Sequence, residues 1–256
     1  MKKPIPILLA LALTLGLAAC SAASPGGEAP EATVHPAEGP AVTGRILDND
    51  GTALLLAGLA QPYDSLYTVS LSALEEAGLY TEDLRPGERV ELAFDGTVQE
   101  TLPGQIGNVT GVTVIEDGRD RLYQLYLDAL EDLWAADPAL HDGITTLGFD
   151  LASTRLTPAE RQGVETLFAR AHGNPAVVEG TRQELTDAGY INGEDLSWTD
   201  GVLLSVTEKG DEADRVVFDA QIWRSGLGAY LFCDCTSQRL IGGDWAPYVA
   251  GSEAIS

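Results

Sequence analysis

The chain has 256 residues, with 15 basic against 39 acidic side chains and a formal net charge of −24. Hydrophobic residues make up 45% and charged ones 21%, enough for a core of ordinary size and too apolar for wholesale disorder. So acidic a surface repels phosphates, which excludes DNA and RNA as partners and disfavours adsorption to anionic lipid headgroups. The excess charge reads first as solubility outside the cell, and second as capture of a basic partner or a cation.

The N-terminus carries Lys2 and Lys3, an apolar run over residues 5–17, and Gly16-Leu17-Ala18-Ala19 before Cys20. A charged start, a short apolar run and small residues describe a secretory signal. No second apolar run approaches the roughly 20 residues that span a bilayer. With a cysteine directly after the small residues, the segment resembles a bacterial lipoprotein signal. In that family the cysteine thiol takes a diacylglyceryl group, with acyl chains of the palmitate class, and cleavage leaves that cysteine first. The resemblance implies a signal peptide at 1–19, lipidation at Cys20, and a chain anchored to the cell membrane on its extracytoplasmic face. Two acyl chains on one residue give durable attachment. Residues 20–41 are rich in Pro, Gly, Ala, Ser and Glu without an apolar period, and read as a flexible tether with a reach of about 25 Å. His35 lies within it, solvated.

Residues 42–117 read as short strands. Strands at 42–47 and 52–57 flank Asp48-Asn49-Asp50-Gly51, a hairpin turn. A calcium loop would need a closing Glu that is missing there. Strands at 66–71, 88–94, 97–101 and 106–115 follow, with a short helix at 72–77, which suggests a small closed all-β barrel of the OB type. Leu84-Arg85-Pro86-Gly87-Glu88-Arg89-Val90, Phe94-Asp95-Gly96 and Gln99 to Gln105 carry a further likeness. With Gly44 and Leu54-Leu55-Leu56, this segment resembles the small OB-like barrel domains of unknown function found in Gram-positive lipoproteins. Thr101 stands where that family has serine, and Gly104 is a second departure. The family brings no catalytic residues.

At 119–136 the period changes. Leu122, Tyr126, Leu130, Leu133 and Trp134 recur at three- and four-residue spacing, an amphipathic helix ended by Asp137-Pro138. The switch places a domain boundary near 116–119. A strand at 145–151 and capping boxes at Thr157-Pro158-Ala159-Glu160 and Thr181-Arg182-Gln183-Glu184 come next. Strands at 202–207, 215–223, 229–236 and 239–249 complete the chain. Residues 118–256 are therefore expected to form an α+β domain, helices packed on an antiparallel sheet, similar in element order to cystatin-like and NTF2-like folds.

Cys233-Asp234-Cys235 puts two thiols on one face of a regular strand, with Cα atoms roughly 6.6–6.8 Å apart. That spacing suits two small buried hydrophobes better than a disulfide. As metal ligands Cys233 and Cys235 are weak candidates, because zinc needs three or four ligands and only His141 and His172 could add to them. Trp223, Tyr230, Trp245 and Tyr248 are the candidate binding residues: exposed, they would form a sugar or peptide platform; buried, they are the core of the sheet. Arg224-Ser225-Gly226-Leu227-Gly228 lacks the spacing of a phosphate loop. No motif names a cofactor or a catalytic residue. The expected function is that of a lipid-anchored extracytoplasmic binding or accessory protein, partnered by the membrane through Cys20 and by an envelope component or membrane protein. The alternatives are a cell-wall or peptide-processing enzyme, and a regulator docking on a membrane protein.

Overall fold

The computed structural model describes residues 39–79, 84–115 and 118–256. The signal at 1–19, the lipidation residue Cys20 and the tether through residue 38, with His35, lie outside the described residues.

Strands β1 (Ala41–Asn49) and β2 (Ala53–Gly58) form the first hairpin. The Asp50 side chain accepts from the backbone N–H groups of Thr52 and Ala53 across its turn, so the carboxylate serves as a turn clamp. Strand β3 (Leu66–Ser70) runs into helix α1 (Leu71–Glu76), and β4 (Arg89–Phe94), β5 (Val98–Gln99), β6 (Gly104–Ile106) and β7 (Val109–Ile115) follow. Their sheet order is β5-β6-β3-β2-β1-β4-β7, an open seven-stranded sheet.

The closed OB-type barrel is therefore not formed. The expected strand at 106–115, which would have closed it, is broken at Gly107-Asn108, where Asn108 has φ +46°. Its first piece, β6, pairs parallel with β3 and its second, β7, pairs antiparallel with β4, at opposite sides of the sheet. A two-residue β5 lies outside β6 and cannot bridge the gap.

Helix α2 (Leu122–Ala136) buries Leu122, Tyr126, Leu130 and Leu133, the stripe its spacing requires. A 3-10 turn (Pro138–His141) leads to β8 (Thr146–Asp150), helix α3 (Pro158–Ala171), β9 (Ala176–Glu179) and helix α4 (Arg182–Asp187). Both capping boxes form: Thr157 with Glu160 on α3, and Thr181 with Glu184 on α4. Then come β10 (Gly201–Lys209), β11 (Arg215–Ser225), β12 (Gly228–Gln238) and β13 (Ser252–Ile255), in the sheet order β13-β12-β11-β10-β8-β9.

This second sheet is mixed, which corrects the expected antiparallel one. Strand β8 pairs parallel with β9 on one side and with β10 on the other. Parallel neighbours need a crossover, and α3 supplies the one between β8 and β9. The last expected strand, 239–249, is instead a looped excursion: Gly242 and Gly243 take φ +97° and +90°, which breaks the ladder.

Glu116 and Asp117, at the expected boundary, lie outside the described residues. On either side of them one core is shared. Leu47, Leu55, Ala57 and Leu66 pack in the same apolar cluster as α2, β10 and β11. Arg45 on β1 reaches Glu160 on α3 at 2.8 Å and donates to the Gly118 carbonyl at 2.7 Å. The helix meets the first sheet at Gly163, where an added Cβ would lie 1.9 Å from Leu47 Cδ1. Leu47 is 2% exposed, so its side chain would have to shift within the core. Gly163→Ala should therefore cost about 1–3 kcal/mol in urea unfolding, the usual penalty of overpacking. Unchanged or raised stability would show that α3 does not bear on β1 so closely.

Candidate functional site

Because β8 leaves the chain a neighbour on each side, the connection after β8 runs to β9 and the connection after β9 returns past it to β10. Crevices in open sheets with parallel strands form at the carboxyl ends of such strands, where connections part. A cleft of about 600 Å³ opens at that place. Its floor comes from Phe149, Asp150 and Leu151 at the end of β8, and from Val178 and Glu179 at the end of β9. Helix α3 contributes Arg161 and Glu165, one turn apart, and α4 contributes Glu184 and Leu185. Tyr190 closes one side and is 46% exposed.

Local sequence fixes each wall. The Thr157–Glu160 box starts α3 at a set point, so residues 161 and 165 face the strand ends. The second box starts α4 directly after β9 and holds Glu184 in hydrogen bonds from the Thr181 backbone and hydroxyl, which keeps its carboxyl below the ordinary range. Leu185 then packs against Trp198. The indole rests where β8 and β10 have no side chains: an added Cβ at Gly148 would lie 2.6 Å from its ring, and at Gly201 2.2 Å.

Glu165 is the chemical centre of the cleft. It is 4% exposed, and the exposed Glu179 lines the same cleft beside it. Burial first, then the charge and hydrogen bond of Glu179, push Glu165 up to about 9; Arg161 opposes them. At neutral pH Glu165 is therefore the neutral, protonated carboxyl, set beside Glu179. Burial also raises Asp150, whose carboxyl is eased by the Ala152 backbone N–H. Arg161 directs Nη1 to the Leu156 carbonyl at 3.0 Å. A neutral acid beside a carboxylate can donate, accept or exchange a proton. The four acidic side chains and the apolar ones around the cleft can seat a small ligand with a polar head.

The residues singled out from the sequence lie elsewhere, and the structure does not bring them together. Trp223 is 3% exposed and packs with Trp198 and Leu203, with the Arg182 guanidinium 5.5 Å from its ring centroid. Tyr230, Trp245 and Tyr248 are partly buried against the main core, on the other side of the sheet. Their polar ends are engaged: Trp245 Nε1 donates to Asp120 at 2.8 Å, Tyr248 to Asp132 at 2.6 Å and Tyr230 to Glu253. His141 stacks on Trp134 at 3.7 Å, and His172 touches the same ring while pairing with Glu131.

Cys233 and Cys235 are both free thiols, and they do not share a face. Phe218 pairs with Cys235 and Ala220 with Phe232, so β12 carries two residues opposite Asp219. Asp234 is the bulge, at φ +53°, with its N–H donating to Asp219 at 2.8 Å. One extra residue flips the alternation. Cys235 enters the core, where burial pushes its thiol up to about 12, while Cys233 stays half-buried.

No sequence motif announced Glu165. The one available signal was its place beside Val164 and Phe168 on the buried arc of α3, where a carboxylate is out of keeping with its neighbours.

Two outcomes follow from this geometry. The raised Glu165 carboxyl keeps its proton in the folded chain at pH values where the unfolded chain, near 4.5, has lost it. Its contribution is complete below about 4.5 and is lost as pH rises to about 9, at up to about 1.4 kcal/mol per pH unit. Urea unfolding from pH 5 to 9 should show that decline in the wild type and a flatter profile in Glu165→Gln; identical slopes would contradict the raised Glu165 carboxyl. In native protein, iodoacetamide should label Cys233 and leave Cys235 unmodified until the chain unfolds. Equal labelling of both would contradict the bulge.

Comparison of the chain with family models and with curated proteins returns no match.

Proposed function

We propose that the chain is a lipid-anchored, extracytoplasmic binding or accessory protein, and that the cleft at the carboxyl ends of β8 and β9 is its ligand seat. The observation that supports this most is Glu165, a carboxyl buried in a cleft wall and held against Glu179. Burying such a group lowers stability at neutral pH, and a mere core position would be served better by an apolar side chain. The signal-like N-terminus with Cys20 supports the anchor, through diacylglyceryl attachment to the cell membrane. A lipid and a tether together hold the seat near the membrane and raise its effective concentration toward envelope components.

The same pair supports a second reading, a cell-wall or peptide-processing enzyme. Glu165 would be the general acid and Glu179 the base.

Thermal unfolding of the whole chain against amino acids, amino sugars and short peptides tests the seat. A ligand at one hundred times its Kd adds about 2.7 kcal/mol. Stabilisation that vanishes in Tyr190→Ala and Glu179→Ala supports the cleft; stabilisation indifferent to both contradicts it. Turnover of any hit replaces the binding reading by the enzymatic one. For the anchor, mass spectrometry of the mature N-terminus should find a diacylated Cys20, and Cys20→Ala should leave the membrane fraction. Retention of Cys20→Ala there after signal cleavage would contradict it.

A further inference from the structure

Six titratable side chains face the cleft: Asp150 from β8, Arg161 and Glu165 from α3, Glu179 from β9, Glu184 from α4, and Tyr190 after it. Glu184 is closed in its capping box, and Arg161 gives one Nη1 hydrogen bond to the Leu156 carbonyl while its charge still acts on Glu165. What remains for an incoming group is Asp150, the Glu165–Glu179 pair and the Tyr190 ring. An anion would meet three carboxyls there.

The walls between these groups are apolar, from Phe149, Leu151, Val178 and Leu185. A space of about 600 Å³ far exceeds a bare ion. Among the described residues no group of three or more His, Cys, Asp or Glu side chains converges to hold a metal. The lining fits a ligand with a cationic head and an aliphatic stem, its head on the carboxyls and its side against Tyr190, whose ring face attracts cations. A net charge of −24 raises the local concentration of such ligands.

We propose that the cleft binds a protonated primary amine on an aliphatic stem, as in a lysine side chain, with the ammonium seated between the Glu165 and Glu179 carboxyls. The inference rests on the reading of the cleft as the ligand seat. On binding, the Glu165 O–H bond breaks, its electron pair stays on the carboxylate, and the proton leaves to solvent. The ammonium keeps all three N–H bonds and donates to the two carboxylates. The Asp150 carboxyl on the same cleft adds to the attraction, whereas Arg161 opposes it from the far end of the α3 turn.

Release of one proton makes affinity depend on pH. Below about 9, where Glu165 is protonated in the free protein, each unit of pH tightens binding about tenfold. The gain levels off above about 9, where Glu165 is already ionised, and affinity falls where the amine itself deprotonates, near 10.4.

The test is calorimetric titration of the whole chain with Nα-acetyl-lysine amide, with Nα-acetyl-norleucine amide as the uncharged control. Buffers of different ionisation enthalpy report proton release. The expected results are about tenfold tighter binding at pH 8 than at pH 7, close to one proton released, and at least tenfold weaker binding of the norleucine compound. Glu165→Gln should abolish both the release and the pH slope. Glu179→Gln, at an exposed position, should weaken binding of the lysine compound at least tenfold and lower the pH at which the slope levels off, and serves if the buried variant fails to fold. Equal affinity for the two compounds, pH-independent binding, or no binding of the lysine compound at 10 mM overturns the proposal. If the lysine compound fails while another ligand is held in a manner sensitive to Tyr190→Ala, the cation class is wrong and the seat stands. If no ligand is sensitive to the cleft variants, both fall.

Discussion

The architecture turns on β8 being flanked in parallel on both sides. Such a strand cannot be reached from its neighbours by hairpins. It forces α3 across one face on the way to β9, and it forces the chain back past its own end on the way to β10. The cleft is what these two departures leave between them. Every wall residue sits where it does because of that topology: Asp150 and Glu179 end two adjacent parallel strands, and Glu165 looks down from the crossover helix. Trp198, seated over Gly148 and Gly201, keeps α4 from drifting and holds the far wall.

The same crossover helix joins the two sheets. One side of α3 offers Glu160 to Arg45 and the bare backbone of Gly163 to Leu47, while the next turn presents Glu165 to the cleft. Packing of the first sheet thereby sets the height at which the buried carboxyl stands over the strand ends. This gives the first sheet a physical part in the site without contributing a side chain to it.

Much of the local structure was legible in the sequence, because it rests on short-range chemistry. The Thr157 and Thr181 boxes, the stripe of α2 and the turn clamped by Asp50 each need only a few adjacent residues. What escaped was pairing. The run at 106–115 has the composition of one strand, and only the left-handed Asn108 divides it between opposite sides of the sheet, which turns an expected barrel into an open sheet. The run at 176–179 is short and partly exposed, so nothing marked it as the strand that makes the second sheet mixed. Cys233 and Cys235 read as one face because alternation was assumed across Asp234, where the bulge reverses it. The candidate site was the least legible of all. Asp150, Glu165 and Glu179 are scattered over three elements as ordinary acidic residues, and only folding shows that one of them is buried against another.

The central claim is that Glu165 keeps its proton at neutral pH, buried beside Glu179 in the wall of a ligand cleft. Side-chain carboxyl 13C NMR of the whole chain, labelled at glutamate and followed from pH 4 to pH 10, measures it directly. The account predicts that the Glu165 carboxyl stays protonated at pH 7 and ionises near pH 9, and that Glu179→Gln moves this titration downward. A Glu165 carboxyl that ionises in the ordinary range near 4.5, with no response to the change at Glu179, would contradict it.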